Sequence, residues 1–222
     1  MQGGSQMIQG AIFDMDGLMF DTERLSNEGW LQAAKELNYP ITAITVAKIR
    51  GTNIATSKQI FKKEFGNTVD FEAALDVQHR YIDKVIEENG VPVKPGLFVL
   101  LKYLKENGIK LAVATSTARE RAERFLKKAL VYEYFDTLAF GDEVKNGKPA
   151  PDIFLLAAEK LSLHPENCVV FEDSPHGIKA AYGAKTKVIG VQDLAEFDET
   201  VYKMLNYDCK TLSDAIPLIK TL

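Results

Sequence analysis

From about residue 93 onward, short apolar runs alternate with amphipathic stretches, and this alternation restricts the possible folds more than any other feature of the chain. Residues 109–114, 137–140, 168–171 and 186–191 are apolar runs of strand length. Between them, Leu97, Leu100, Leu101 and Leu104 recur at i, i+3, i+4 and i+7, a helical stripe that ends at Asn107-Gly108. Ala118, Ala122, Phe125, Leu126 and Ala129 form a second stripe, and residues 151–161 predict a third helix. Strands alternating with helices require right-handed crossovers, which build a doubly wound parallel sheet with helices on both faces. Another apolar run, Met7, Ile8, Ala11, Ile12 and Phe13, stops at Asp14-Met15-Asp16-Gly17 and predicts a buried strand near the start of the chain.

Residues 22–88 have helical periodicity only. Leu25, Gly29, Ala33 and Leu37 share one stripe, and Phe71, Ala74, Leu75, Ile82, Val85 and Ile86 share another that begins after Asp70, a plausible N-cap. Pro40, Gly51, Gly66 and Asn89-Gly90 punctuate these helices. With 27 Lys+Arg against 31 Asp+Glu, the net charge of −4 provides no basic field for nucleic acid or an acidic membrane. The two cysteines, Cys168 and Cys209, fit a reducing cytoplasm better than a disulfide framework. No apolar run reaches membrane-helix length. Residues 1–6 are polar and glycine-rich, without a secretion pattern, and are set aside.

The polar residues that could do chemistry stand where strands are expected to end. The first strand runs into Asp14 and Asp16, a later one into Thr115-Ser116-Thr117, and another into Glu172-Asp173-Ser174. Lys148 lies between the last two, in Gly147-Lys148-Pro149-Ala150-Pro151-Asp152. In parallel sheets, ligands sit beyond the carboxyl ends of strands. Four carboxylates gathered there would repel each other without a cation, and oxygen-only ligands suit Mg²⁺. Each element also has an ordinary explanation. Ser174-Pro175 is a good helix start, Thr115-Ser116-Thr117 could cap a helix, and Lys148 alone could be a solvated lysine. Their joint occurrence at successive strand ends favours phosphoryl chemistry. There is no Gly-x-Gly-x-x-Gly, no P-loop and no Gly-x-Ser-x-Gly elbow. His79 and His164 read as structural or solvated, and His176 lies near the expected crevice.

The chain resembles the haloacid dehalogenase-like superfamily of phosphohydrolases, in its β-phosphoglucomutase-like branch. The resemblance rests on Phe13-Asp14-Met15-Asp16-Gly17-Leu18-Met19-Phe20-Asp21-Thr22-Glu23, Val113-Ala114-Thr115-Ser116, Gly147-Lys148-Pro149-Ala150-Pro151-Asp152, and Val170-Phe171-Glu172-Asp173-Ser174 with Gly177-Ile178 following. It implies a Rossmann-like core of residues 1–20 and 93–222 with an all-helical cap, residues 21–92, inserted after the first motif. It also implies Asp14 as nucleophile, Asp16 as general acid and base, and Thr115, Ser116 and Lys148 as holders of the phosphoryl group. Mg²⁺ would be held by Asp14, the Asp16 carbonyl and Asp173, with Glu172 as a second ligand or just behind. Tyr182-Gly183-Ala184-Lys185 departs from the family's small-residue helix end.

The expected activity is therefore hydrolysis of a small phosphorylated metabolite, such as a sugar phosphate, by a cytoplasmic monomer. A phosphosugar mutase and a non-catalytic binding module are the alternatives. Family analogy places substrate selection at Arg50-Gly51-Thr52-Asn53, where Arg50 could meet a second anionic group or simply end a helix. In β-phosphoglucomutases, as the resemblance implies, a histidine in the first cap linker takes part in transfer. The matching position here is Ser26, which cannot titrate near neutrality, so net hydrolysis is expected.

Overall fold

The computed structural model of the protein describes residues 8–222; Met7 and residues 1–6 lie outside the described residues. Six parallel strands form one sheet: β1 (Gly10–Phe13), β2 (Lys110–Ala114), β3 (Thr137–Ala139), β4 (Cys168–Glu172), β5 (Lys187–Val191) and β6 (Tyr207–Cys209). Their spatial order is β3-β2-β1-β4-β5-β6. The helices are α1 (Thr22–Leu37), α2 (Ala43–Ile49), α3 (Ile54–Phe65), α4 (Phe71–Asn89), α5 (Leu97–Glu106), α6 (Arg119–Lys128), α7 (Asp152–Lys160) and α8 (Pro175–Gly183), followed by the short α9 (Glu199–Tyr202) and α10 (Ile216–Ile219). This is the α/β architecture expected from the alternation. Strand β6 was not legible: it is three residues long with Asp208 at its centre, and it forms by pairing with β5 at the sheet edge.

Strand alternation divides the core into two layers. Ala11, Phe13, Leu111, Val113, Val169, Phe171 and Ile189 face one side, packed with α5 and α6. Ile12, Ala112, Ala114, Val170 and Val188 face the other, packed with α7 and α8. Both faces of β1 and β4 are covered, so β1 is apolar throughout and β4 is apolar up to Glu172 at its end. The Phe13 and Phe171 rings stack with centroids 4.6 Å apart. Helix α8 begins as expected: Pro175 occupies its first turn and the Ser174 hydroxyl accepts from the Gly177 N–H at 3.0 Å. Its unusual end closes with Lys185 in the left-handed region at φ 62°.

Helices α1 to α4 enclose a separate apolar cluster. At its centre the Trp30 ring lies 5.0 Å from Phe61 and 5.8 Å from Phe71. Asp70 caps α4 as predicted, accepting from the N–H groups of Glu72 and Ala73. Gly29 lets α1 lie directly on α4, since a Cβ there would stand 3.0 Å from Gln78. The chain leaves the sheet and returns to it through paired segments: Asp21 N–H donates to Pro92 O at 2.8 Å, and Lys94 N–H to Met19 O at 2.9 Å. Among the described residues, no helix is long and apolar enough to cross a membrane.

Phe171 is fully buried between the site-bearing strands, so Phe171→Ala should destabilise the protein by about 3–5 kcal/mol, as large-to-small core changes do. Urea unfolding would measure this, and a loss below about 1 kcal/mol would contradict the packing described.

Candidate active site

The sheet order places β1 between β2 and β4, and register sets their ends level: Phe13 pairs with Val113 on one side and Phe171 on the other. One residue further along, Asp14 donates its N–H to Phe171 O at 3.1 Å. Three sequence-distant motifs thus meet at one edge of the sheet. Lys148, carried by the loop between β3 and α7, reaches in from the side. Its Nζ donates to Asp14 Oδ1 and to Glu172 Oε1, each at 2.5 Å, and all three residues are buried. Glu172 Oε2 accepts from the N–H groups of Asp173 and Ser174, both at 2.9 Å, and from the Ser174 hydroxyl at 3.0 Å. Glu172 therefore braces both Lys148 and the loop that carries Asp173.

The electrostatics follow from burial. Carboxylate oxygens of Asp14, Glu172 and Asp173 lie within 4.8 Å of one another. Burial pushes the Asp14 carboxyl up to about 7 despite Lys148, with Glu172 adding to the rise. Burial also raises Asp173 well above the carboxylate range, reinforced by Glu172 and Asp14. Burial opposes the charge on Lys148, but Asp14 and Glu172 outweigh it and hold the ammonium above its usual range. Asp173 Oδ1 is buried without a hydrogen-bond partner among the described residues.

Asp16, two residues beyond Asp14, has different partners. Its Oδ1 accepts from the Thr22 hydroxyl at 2.5 Å, and its Oδ2 from the Thr117 hydroxyl at 2.7 Å, with Thr115 Oγ1 at 3.4 Å. The turn after Asp16 needs Gly17 at φ +90°, since a Cβ there would stand 2.3 Å from Asp173 Oδ2. Thr115-Ser116-Thr117 does not cap α6. That position falls to Ala118, which has no side-chain cap, and leaves Thr117 to hold Asp16.

A cavity of about 460 Å³ opens between the sheet edge and helices α1 to α4, lined by Asp14, Asp16, Thr115, Ser116 and Lys148 among others. The turn after α2 roofs it. Ser116 Oγ donates to Gly51 O at 3.4 Å, which ties this turn to the loop after β2. Arg50 and Gly51 line the cavity, and Arg50 Nε is buried without a hydrogen-bond partner among the described residues. Asn53 does not line it. Its side chain accepts from Thr56 N–H at 2.9 Å to cap α3, and its amide lies over Gly147.

Several residues that line the cavity escaped sequence reading. Thr22, Thr117 and Glu23 belong to quoted motifs without having been singled out. His79, expected to be structural or solvated, lines the cavity from α4, and burial lowers its imidazole to about 4. Arg121 also lines it, from the first turn of α6, with only an arginine on a helix as a signal.

Glu23 yields a pH prediction. Burial, reinforced by Asp16 and opposed by Arg50, raises its carboxyl from 4.5 to about 8. The folded protein thus holds this proton more tightly than the unfolded chain, a contribution complete below about pH 4.5 and lost as pH rises through 8. Glu23→Gln cannot ionise, so in metal-free buffer its Tm should decline less between pH 5 and 8 than that of the wild type. Equal slopes would refute the assignment.

Comparison with known proteins identifies the family. The family model for haloacid dehalogenase-like hydrolases matches residues 11–191. The phosphorylated carbohydrates phosphatase of Thermotoga maritima is 36% identical over 190 residues, spanning 80% of this chain and 82% of that protein. Hexitol phosphatase A of Escherichia coli is 31% identical over 193 residues, spanning 85% of each. The crystal structure of β-phosphoglucomutase from Clostridium difficile superposes with a TM-score of 0.79 at 27% identity, covering 97% of this chain and 98% of that one. The chain belongs to the haloacid dehalogenase-like hydrolase family.

Proposed function

We propose that the protein is a Mg²⁺-dependent phosphatase of small phosphorylated metabolites, sugar phosphates in particular, working through a phosphoaspartate on Asp14. In this reading residues 21–92 form a helical cap over a core of residues 1–20 and 93–222, and the protein acts as a cytoplasmic monomer. Both cysteines are free and buried, which suits that compartment. The observation that carries the reading is the divergence of two aspartates two residues apart: Asp14 faces Lys148 and the acidic cluster, while Asp16 is held by hydroxyls at the cavity.

The residues present fit a divalent cation. The unpartnered Asp173 Oδ1 stands in an all-oxygen donor set, which suits a hard ion. Asp14 and Asp173 would hold it with the Asp16 carbonyl, as the family resemblance implies. Glu172, with both oxygens already accepting hydrogen bonds, sits behind them as a brace. When bound, Mg²⁺ supplies positive charge that screens the approach of a carboxylate to a phosphate dianion.

The chain's own groups would divide the work. Asp14 attacks phosphorus as the ester P–O bond breaks, and Asp16 gives its proton to the departing alkoxide. Thr115, Ser116 and Lys148 hold the phosphoryl oxygens, Lys148 countering charge that Asp14 alone would repel. Asp16 then takes a proton from water, which attacks phosphorus, breaks the bond to Asp14 and releases inorganic phosphate. Thr22 and Thr117 orient Asp16 for both transfers. The turn carrying Arg50 and Gly51 limits water and shapes the substrate's end of the cavity.

Hydrolysis rather than phosphosugar transfer is supported at Ser26. Its hydroxyl accepts from Gln78 Nε2 at 2.9 Å at the cavity wall, and a serine at this position cannot titrate near neutrality. Supplied with β-glucose 1-phosphate, a glucose bisphosphate primer and Mg²⁺, the enzyme should release inorganic phosphate faster than it accumulates glucose 6-phosphate. The reverse order would establish the mutase.

Asp14→Asn should reduce turnover of p-nitrophenyl phosphate by about 10³-fold or more, since it removes the attacking oxygen's charge. EDTA should abolish wild-type activity and excess Mg²⁺ restore it. Full activity in either the variant or the chelated enzyme would overturn the proposal.

A further inference from the structure

One wall of the cavity has a function that phosphoryl transfer leaves unassigned. Arg121, on α6, and Asp83, on α4, meet across it, with Arg121 Nη1 3.0 Å from Asp83 Oδ1. Arg124 Nη2 binds the same oxygen at 2.5 Å, so two guanidinium groups share one carboxylate. The Arg121 guanidinium lies over the Phe125 ring, 4.9 Å from its centroid, which fixes its plane. Its Nη2 is nevertheless buried without a hydrogen-bond partner among the described residues. A buried charged donor left unpaired is costly, and the two-nitrogen edge of a guanidinium matches the oxygens of a carboxylate or phosphate. His79, one turn before Asp83 on α4, lines the same cavity and is neutral near pH 7 because of its burial. It adds no competing charge.

We propose that Arg121, held in place by Asp83, binds a second anionic group, carboxylate or phosphate, on the substrate whose phosphate ester is attacked at Asp14. This deepens the phosphatase reading and rests on it. The cavity, at about 460 Å³, has room for a sugar skeleton beyond one phosphoryl group. Arg121 comes from the sheet-packed helix α6, so this contact is distinct from the one open to Arg50 on the roofing turn. A substrate spanning α6 and the phosphoryl site would also draw α4 down through Asp83.

The test compares two matched pairs: 6-phosphogluconate with sorbitol 6-phosphate, and glucose 1,6-bisphosphate with glucose 6-phosphate. Within each pair the first compound carries the additional anion. The wild type should show a KM about tenfold or more lower for the first member of at least one pair, the scale of a charge-assisted hydrogen bond. Arg121→Gln should bring that KM ratio to about one, and Arg121→Lys should recover part of it. The ratio cancels any general loss of activity or fold. A bond that only latches the helices would lower both members of a pair equally, and that result, or a wild-type ratio near one in both pairs, would overturn the proposal. Absence of turnover on all four esters with Mg²⁺ would instead remove the phosphatase reading. Equilibrium binding of the same pairs by calorimetry would then still decide whether Arg121 selects the second anion.

Discussion

Lys148, bonded at once to Asp14 and Glu172, is the interaction on which the rest of the site depends. Three buried carboxylates converge at the ends of β1 and β4, where desolvation and mutual repulsion favour the protonated forms of Asp14 and Asp173. One ammonium offsets part of that charge, and its own burial is repaid by the two carboxylates it touches. The remainder, at the unpartnered oxygen of Asp173, is the charge that a cation would neutralise in the proposed function. The sheet makes this strained arrangement possible. β1 and β4 are buried on both faces and rigidly paired, so their ends hold like charges together that a flexible loop would let separate.

The two aspartates of the first motif show how backbone geometry assigns chemistry. Asp14 continues the line of β1 and remains among the buried charges. Gly17, at positive φ, turns the chain tightly against Asp173 and leaves Asp16 on the cavity side, among hydroxyls from α1 and the β2–α6 loop. Gly177 illustrates the same economy of space at the other strand end: a Cβ there would run into the Glu172 carboxylate that braces Lys148.

Much of this was legible in the sequence because the strand-end motifs are local. Apolar runs marked five of the six strands, and the polar residues after them named Asp14, Asp16, Thr115, Glu172 and Asp173 directly. Lys148 was readable from its place between motifs. The remainder depends on contacts the chain makes only after folding. Strand β6 is held by its neighbour, not by its own pattern. Arg121 and Asp83 lie on different helices and meet only because α4 is laid over α6. Asn53, named for its position in the roofing turn, uses its side chain to cap α3 and packs on Gly147, a preference the sequence could not rank against substrate binding.

The central claim is that Asp14 carries the phosphoryl group between substrate and water. The most direct measurement is acid quenching of the Mg²⁺-loaded enzyme within the first turnover of a phosphorylated substrate, followed by peptide mapping by mass spectrometry. The account predicts one added phosphoryl group, on the peptide containing Asp14 and located at that residue. Turnover with no labelled peptide, or a label on any other side chain, would contradict it.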